Sequence, residues 1–119
     1  MAEKDNIIQQ KSFDFAKAII AFYLQLKDEK EFVISKQLLR CGTSIGANVE
    51  EAIAAFSRKD FVHKMNIAQK EAREAKYWLR LLSETNIVHS NSDSLLEDVE
   101  ELIRILTAIV KSTQQKINN

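Results

Sequence analysis

The sequence contains no proline, and its only two glycines, Gly42 and Gly46, stand four residues apart. Sandwiches and barrels of β-strands need turn residues about every 8 to 12 positions, and this chain cannot supply them. Hydrophobic residues make up 45% and charged residues 29% of the chain, the proportions of a folded protein rather than a disordered one. The sequence therefore predicts an all-α fold in one domain over residues 1–119, because this length is too short for two domains.

Four segments repeat their apolar residues at alternating steps of four and three, the spacing of one face of an α-helix. The predicted core residues of the first two segments are Ile8, Phe15, Ile19, Phe22 and Leu26, then Leu38, Gly42, Ile45, Val49, Ala52 and Phe56. Those of the last two are Phe61, Met65, Ala68, Ala72, Ala75, Leu79 and Leu82, then Leu95, Val99, Leu102, Leu106 and Ile109. Short connections between helices of about 20 residues predict an antiparallel up-down-up-down four-helix bundle.

Two serines are predicted to start helices. Ser57 lies three residues before Asp60, and Ser94 lies three residues before Glu97, which is the capping-box pattern. We expect helix three to begin at the first serine and helix four at the second.

The two glycines lie inside the second predicted helix, where each costs about 1 kcal/mol relative to alanine. Gly42 occupies a core position, where a missing side chain lets a facing helix approach closely. The alternative is that it makes room for a bulky neighbour such as Trp78 or Phe22. Gly46 and Ala47 leave the helix small or apolar around most of its girth, which is typical of a helix buried on more than one side. We therefore expect a homo-oligomer in which a second copy packs against this helix.

The charges balance, with 17 basic and 17 acidic side chains, so no overall field attracts the chain to nucleic acid or to an anionic membrane. The single cysteine, Cys41, excludes an intramolecular disulfide and a cysteine-rich zinc site. No signal peptide is recognisable, and no apolar run approaches the roughly 18 residues of a membrane span. We expect a soluble, cytoplasmic protein with no membrane contact.

Two segments resemble a known family: S-I-G-A-N-V-E-E-A at 44–52 and F-V-H-K-M-N-I-A-Q-K-E-A-R-E-A-K-Y-W-L-R-L-L at 61–82. They are similar to the bacterial four-helix-bundle family of the 23S rRNA intervening-sequence protein, and K-S-F-D-F-A at 11–16 extends the resemblance to nearly the whole chain. The resemblance implies a small bundle that assembles as a ring-like homopentamer. It also implies a distant similarity to the accessory protein of diversity-generating retroelements, which associates with a reverse transcriptase and nucleic acid.

The family signature is carried over to a few positions of this sequence. They are Ser44, Ile45, Asn48 and Glu51 on helix two, and Lys70, Glu71 and Ala72 on helix three. The resemblance assigns a catalytic role to none of them. Glu50 departs from the pattern, because a small residue commonly precedes the signature glutamate.

A polar stripe on helix two is the first candidate site. Arg40, Ser44, Asn48 and Glu51 project from adjacent turns of an otherwise apolar helix. They are predicted either to bind a ligand or phosphate, or to form hydrogen bonds with helix three or a neighbouring subunit. Together with Gly42, Gly46 and Ala47 they form the predicted oligomer interface or family signature.

A basic stripe on helix three is the second candidate site, on the side facing away from the core. Its members are Lys59, His63, Asn66, Lys70, Arg73, Tyr77 and Arg80. Basic side chains interleaved with an aromatic ring suit contact with the RNA backbone and base stacking. Glu71 and Glu74 lie nearby and dilute the positive charge, and an ordinary solvated face is the alternative interpretation.

Residues suited to catalysis are few. His63 and His89 are the only histidines and fit no metal-ligand spacing, and the Glu-x-x-His pairs of di-iron bundles are missing. Cys41 is interpreted as an inert small hydrophobe rather than a nucleophile activated by Arg40, and Tyr77 and Trp78 as packing anchors. We expect no metal, no cofactor and no enzymatic activity.

The sequence thus predicts a non-enzymatic, homo-oligomeric accessory protein associated with RNA or with a nucleic-acid-processing protein. The alternative is a protein-binding scaffold that never contacts nucleic acid.

Overall fold

The computed structural model describes residues 3–119 of the chain, and within this range it contains four α-helices and no strand. The helices are α1 (Glu3–Asp28), α2 (Ile34–Ile53), α3 (Arg58–Thr85) and α4 (Asp93–Asn118). The short connections span residues 29–33, 54–57 and 86–92. The prediction of an all-α fold with four helices is confirmed.

The helices surround one elongated core, in a molecule measuring 50 × 22 × 21 Å. Each helix packs against the next one in sequence, and α1 also packs against α4. Side-chain pairs show which parts meet: Gln9, early in α1, donates from Nε2 to Oε1 of Glu50, late in α2, at 3.0 Å. Similarly, Lys64 near the start of α3 pairs with Glu51 near the end of α2, with Nζ and Oε1 3.0 Å apart.

The core consists almost entirely of the residues that helical spacing predicts. The predicted core positions of α1 and α4 are all buried, and three alanines of α3 (Ala68, Ala72 and Ala75) are completely buried. Because alanine has a small side chain, these residues allow the neighbouring helices to pack closely against the inner face of α3. Phe61 is only partly buried at the edge of the core.

Phe56 is the exception, and the prediction that it belongs to the core is wrong. Its side chain is fully exposed, at 103% of the reference area. Because α2 ends at Ile53, position 56 lies in the turn that leads to α3, where helical spacing no longer determines the direction of a side chain.

Of the two predicted helix starts, the one at Ser57 is confirmed and the one at Ser94 is wrong. Ser57 caps α3, since its Oγ accepts a hydrogen bond from the backbone N–H of Asp60 at 3.1 Å. Ser94 does not start α4, because Ser92 stands at the cap position. Ser92 is buried and donates from Oγ to the carbonyl of Leu79 at 3.3 Å, which joins the start of α4 to α3. A contact between helices therefore places this start earlier than the local pattern indicates.

The start of α2 is capped from the preceding loop. Oε2 of Glu31 accepts from the backbone N–H groups of Val33 and Ile34 at 3.1 Å each, and Oε1 accepts from that of Ser35 at 2.6 Å. A carboxylate there satisfies otherwise unpaired amides and suits the positive end of the helix dipole.

Both glycines of α2 face α1. A Cβ atom at Gly42 would lie 2.9 Å from the Cγ1 and Cγ2 atoms of Ile19, and one at Gly46 would lie 3.4 Å from the carbonyl oxygen of Ser12. Gly42 therefore lets α1 approach closely by making room for a bulky side chain, as the alternative interpretation predicts. That side chain belongs to Ile19, and to neither Trp78 nor Phe22.

Candidate nucleic-acid interface

The basic stripe lies along the outer face of α3. Steps of three and four place its residues opposite the buried alanines, so all seven side chains are exposed. They are Lys59, His63, Asn66, Lys70, Arg73, Tyr77 and Arg80. The structure therefore brings the predicted residues together on one solvent-facing line.

Most of the cations in this stripe have no ion-pair partner among residues 6–119, whose side chains the structure describes. Within that range, no carboxylate forms an ion pair with Lys59, Lys70 or Arg73. Arg80 lies 3.5 Å from Glu84, measured from Nε to Oε2, and both side chains are more than 60% exposed. Such exposed pairs contribute little stability, so the charges remain available to an anionic partner.

Glu71 and Glu74, the two acidic residues that reduce the positive charge of this face, both form ion pairs with Arg40 of α2. Arg40 places Nη1 3.3 Å from Oε2 of Glu71 and also forms an ion pair with Glu74. The Glu74 hydrogen bond raises the pKa of Arg40. The indole hydrogen bond of Trp78 and the pairing with Arg40 both lower the pKa of Glu74. The acidic flank of α3 is thus partly neutralised by α2.

An aromatic pair lies within the same half of α3. The rings of Tyr77 and Trp78 pack in a T-shaped arrangement with centroids 5.2 Å apart and planes at 72°. Trp78 is partly buried against the core and donates from Nε1 to Oε2 of Glu74 at 3.0 Å. Tyr77 is 56% exposed, so its interpretation as a packing anchor is wrong, whereas that of Trp78 is confirmed.

The polar stripe of α2 is used within the chain. Its two charged ends pair with α3, Arg40 as described above and Glu51 with Lys64. Asn48 donates from Nδ2 to the backbone oxygen of Ser44 at 2.9 Å and to its Oγ at 3.1 Å. These contacts favour the structural interpretation, in which the stripe fixes α2 against α3.

The small residues of α2 lie on its other side. Gly42 is buried against α1, Gly46 is half-buried and Ala47 is exposed. A groove between α1 and α2, here called the apolar groove, has a volume of about 300 Å³. Its lining includes Phe13, Ala16, Ile20, Thr43, Gly46 and Ala47.

Sequence reasoning missed the part of this groove that α1 provides. Phe13 is 57% exposed and Ile20 is 46% exposed. The available signal was a second apolar line on α1, Phe13, Ile20 and Leu24, at helical spacing but offset from the core face.

Groups suited to catalysis remain isolated or buried. Among the side chains of residues 6–119, no three metal-ligating groups cluster. Cys41 is fully buried and its Sγ lies 3.7 Å from the carbonyl oxygen of Leu38. Burial raises the pKa of its thiol to about 12, so the reactive thiolate is scarce at neutral pH. This supports its interpretation as a small hydrophobe. Among the same residues, no helix is both long enough and apolar enough to cross a bilayer.

Known proteins resemble this chain in sequence and in fold. Residues 4–108 match the family described as 23S rRNA-intervening sequence protein. The chain is also similar to a solved protein of unknown function from the S23 ribosomal protein family of Bacteroides thetaiotaomicron, with 47% identity and a TM-score of 0.85. That similarity covers 91% of this chain and 98% of the other. No protein of curated function matches. The chain belongs to the 23S rRNA-intervening sequence protein family.

Proposed function

We propose that this protein is a non-enzymatic accessory protein that binds RNA, alone or within a ribonucleoprotein, along the basic stripe of α3. One observation carries the proposal: Lys59, Lys70 and Arg73 are exposed and form no ion pair with any side chain of residues 6–119, while Arg40 holds the neighbouring carboxylates. Exposed cations in a row contact successive phosphates and release the counterions of the nucleic acid, which drives association.

The names of the relatives support RNA as the class of ligand. The family is named for an intervening sequence of 23S rRNA, and the Bacteroides relative is assigned to a ribosomal protein family although its function is unknown. We further propose, from the sequence resemblance alone, a distant similarity to the accessory protein of diversity-generating retroelements, with a nucleic-acid-processing enzyme as a further partner.

The proposal includes an antiparallel up-down-up-down topology and a homo-oligomer, a pentamer by family resemblance. Pairs that join the beginning of one helix to the end of another, such as Gln9 with Glu50 and Lys64 with Glu51, support the topology. The apolar groove supports self-association, because it exposes Phe13 and Ile20 beside the small residues of α2. An oligomer multiplies the basic stripe, so several weak phosphate contacts act together.

The test is a titration of purified protein with a structured RNA at several salt concentrations, using charge-reversed variants. Lys70→Glu with Arg73→Glu is expected to abolish binding at moderate salt. If some binding remains, the slope of the logarithm of the binding constant against the logarithm of the salt concentration should be shallower by about 1.4 to 1.8, as two lost phosphate contacts predict for single-stranded and double-helical segments respectively. The matched control is Lys36→Glu with Lys111→Glu, which makes the same change in charge at exposed positions on α2 and α4. Equal binding by the two double variants would contradict the proposal.

A protein-binding scaffold without nucleic-acid contact is the second candidate, and the exposed apolar groove favours it. If the wild-type oligomer binds no RNA at low salt, this alternative is preferred. Ile20→Ser should then weaken capture of a protein partner while leaving the helical content unchanged.

A further inference from the structure

We propose that the basic stripe recognises unpaired RNA in preference to duplex RNA, with one base stacking on the ring of Tyr77. This inference rests on the proposed RNA binding and specifies the form of RNA that the site accepts.

The position of Tyr77 provides the first argument. Its side chain is 56% exposed on the outer line of α3, with Arg73 about one turn before it and Arg80 about one turn after it. At 1.5 Å per residue, the two arginines are separated by roughly 10 Å along the helix axis. An aromatic ring between two cations provides a stacking surface for a base and phosphate contacts on both sides of it.

The support behind the ring provides the second argument. Tyr77 packs against Trp78 at a centroid distance of 5.2 Å, and the indole N–H of Trp78 is bound to Glu74 at 3.0 Å. Glu74 is in turn paired with Arg40 of α2. This chain of contacts holds Trp78 in place and restricts Tyr77 from one side, which lowers the entropic cost of ordering it upon binding.

A shallow hollow beside the ring provides the third argument. It has a volume of about 150 Å³ and is lined by Tyr77, Arg80, Leu81 and Glu84. Glu84 also lines this hollow, and Nε of Arg80 lies 3.5 Å from its Oε2, so a cation stands next to the carboxylate. The hollow gives an extruded base an apolar wall beside the tyrosine.

Duplex RNA can use the cations of the stripe, but neither the ring of Tyr77 nor the hollow beside it. In an A-form helix the bases remain stacked inside, and a protein contacts mainly the phosphates and 2′-hydroxyl groups. An exposed ring in the middle of a row of cations then adds little to binding. Unpaired RNA uses both the cations and the ring, which is the basis of the predicted preference.

The experiment compares one fluorescently labelled 20-nucleotide RNA without secondary structure with the same strand annealed to its complement. Binding of the full-length protein is measured by fluorescence anisotropy at one salt concentration. We expect the wild type to bind the single strand at least about tenfold more tightly, and Tyr77→Leu to weaken that binding by about 5- to 150-fold, the range of one stacked base. Tyr77→Phe should retain the wild-type affinity, and neither variant should change duplex binding.

Emission from Trp78, the only tryptophan, provides an independent readout. We expect the unlabelled single strand to quench it in the wild type and in Tyr77→Phe, but less in Tyr77→Leu. Since Tyr77 is exposed, both variants should fold, which circular dichroism verifies.

Equal wild-type affinity for the two RNAs, or unchanged single-strand affinity in Tyr77→Leu, would overturn the preference for unpaired RNA. If Lys70→Glu with Arg73→Glu still abolished binding in that case, the proposed RNA-binding function would stand. A wild-type protein that bound neither RNA would overturn both.

Discussion

Ile19 of α1 lies so close to Gly42 of α2 that a Cβ atom at position 42 would stand 2.9 Å from two of its side-chain carbons. Real Cβ atoms do not tolerate that distance, so any larger residue must displace Ile19, which is completely buried. The glycine therefore determines how closely α1 and α2 pack. The stabilisation from this close packing offsets the unfavourable helix propensity of glycine.

The two glycines are expected to respond to alanine in opposite directions. Gly42→Ala should lower the free energy of unfolding by about 1 to 3 kcal/mol through overpacking against Ile19. Gly46→Ala places its Cβ 3.4 Å from the carbonyl oxygen of Ser12, which is an ordinary contact distance. It should raise the free energy of unfolding by about 0.5 to 1 kcal/mol, because alanine reduces the backbone entropy of the unfolded chain. Chemical denaturation of both variants measures the difference, and equal effects would contradict the packing argument.

The two serines proposed as helix starts are also expected to differ. Ser57→Ala removes the acceptor of the Asp60 N–H and should lower stability by about 1 kcal/mol. Ser94→Ala is the matched control, because Ser94 is exposed within α4 and caps nothing, so its effect should stay near zero. Thermal unfolding of the two variants provides the comparison. A larger loss at position 94 would mean that α4 begins where the local pattern predicts.

The stability provided by Glu74 is expected to depend on pH. Hydrogen bonding by Trp78 and Arg40 lowers the pKa of Glu74 in the folded protein below its ordinary value of 4.5. The ionised carboxylate therefore stabilises the fold above about pH 4.5, and this contribution is lost as the pH falls through the lowered folded pKa. Denaturation of the wild type and Glu74→Gln between pH 7 and pH 3 should give stability differences that shrink in acid. A difference independent of pH would rule out this linkage.

Self-association through the apolar groove is expected to be sensitive to charge at Ala47. Ala47→Arg places a long cation at the exposed edge of the groove and should shift the proposed oligomer toward single chains in sedimentation velocity. Ala108→Arg makes the same substitution at an exposed position of α4 and should leave the proposed oligomer unchanged. If both variants kept the wild-type mass, the interface would have to lie on another surface.

Much of the candidate site follows from helical spacing. The line from Lys59 to Arg80 is exposed because it lies opposite the buried alanines of α3, and this relationship is contained in the sequence period. The neutralisation of Glu71 and Glu74 by Arg40 does not follow from it, since more than thirty residues separate the partners. Such a contact depends on the position of α2 along the axis of α3, and periodicity within one helix does not determine that register.

The sequence alone therefore determined the all-α fold, the four helices and nearly every core residue, because these depend on spacing within single helices. The tertiary structure decided that Phe56 is exposed, that Ser92 starts α4, that Ile19 covers Gly42 and that α1 and α2 form an apolar groove. Each of these depends on where one helix ends or how two helices meet. The physical reason is that packing between helices is determined by side chains far apart in the chain, whereas the period of a helix is a local property.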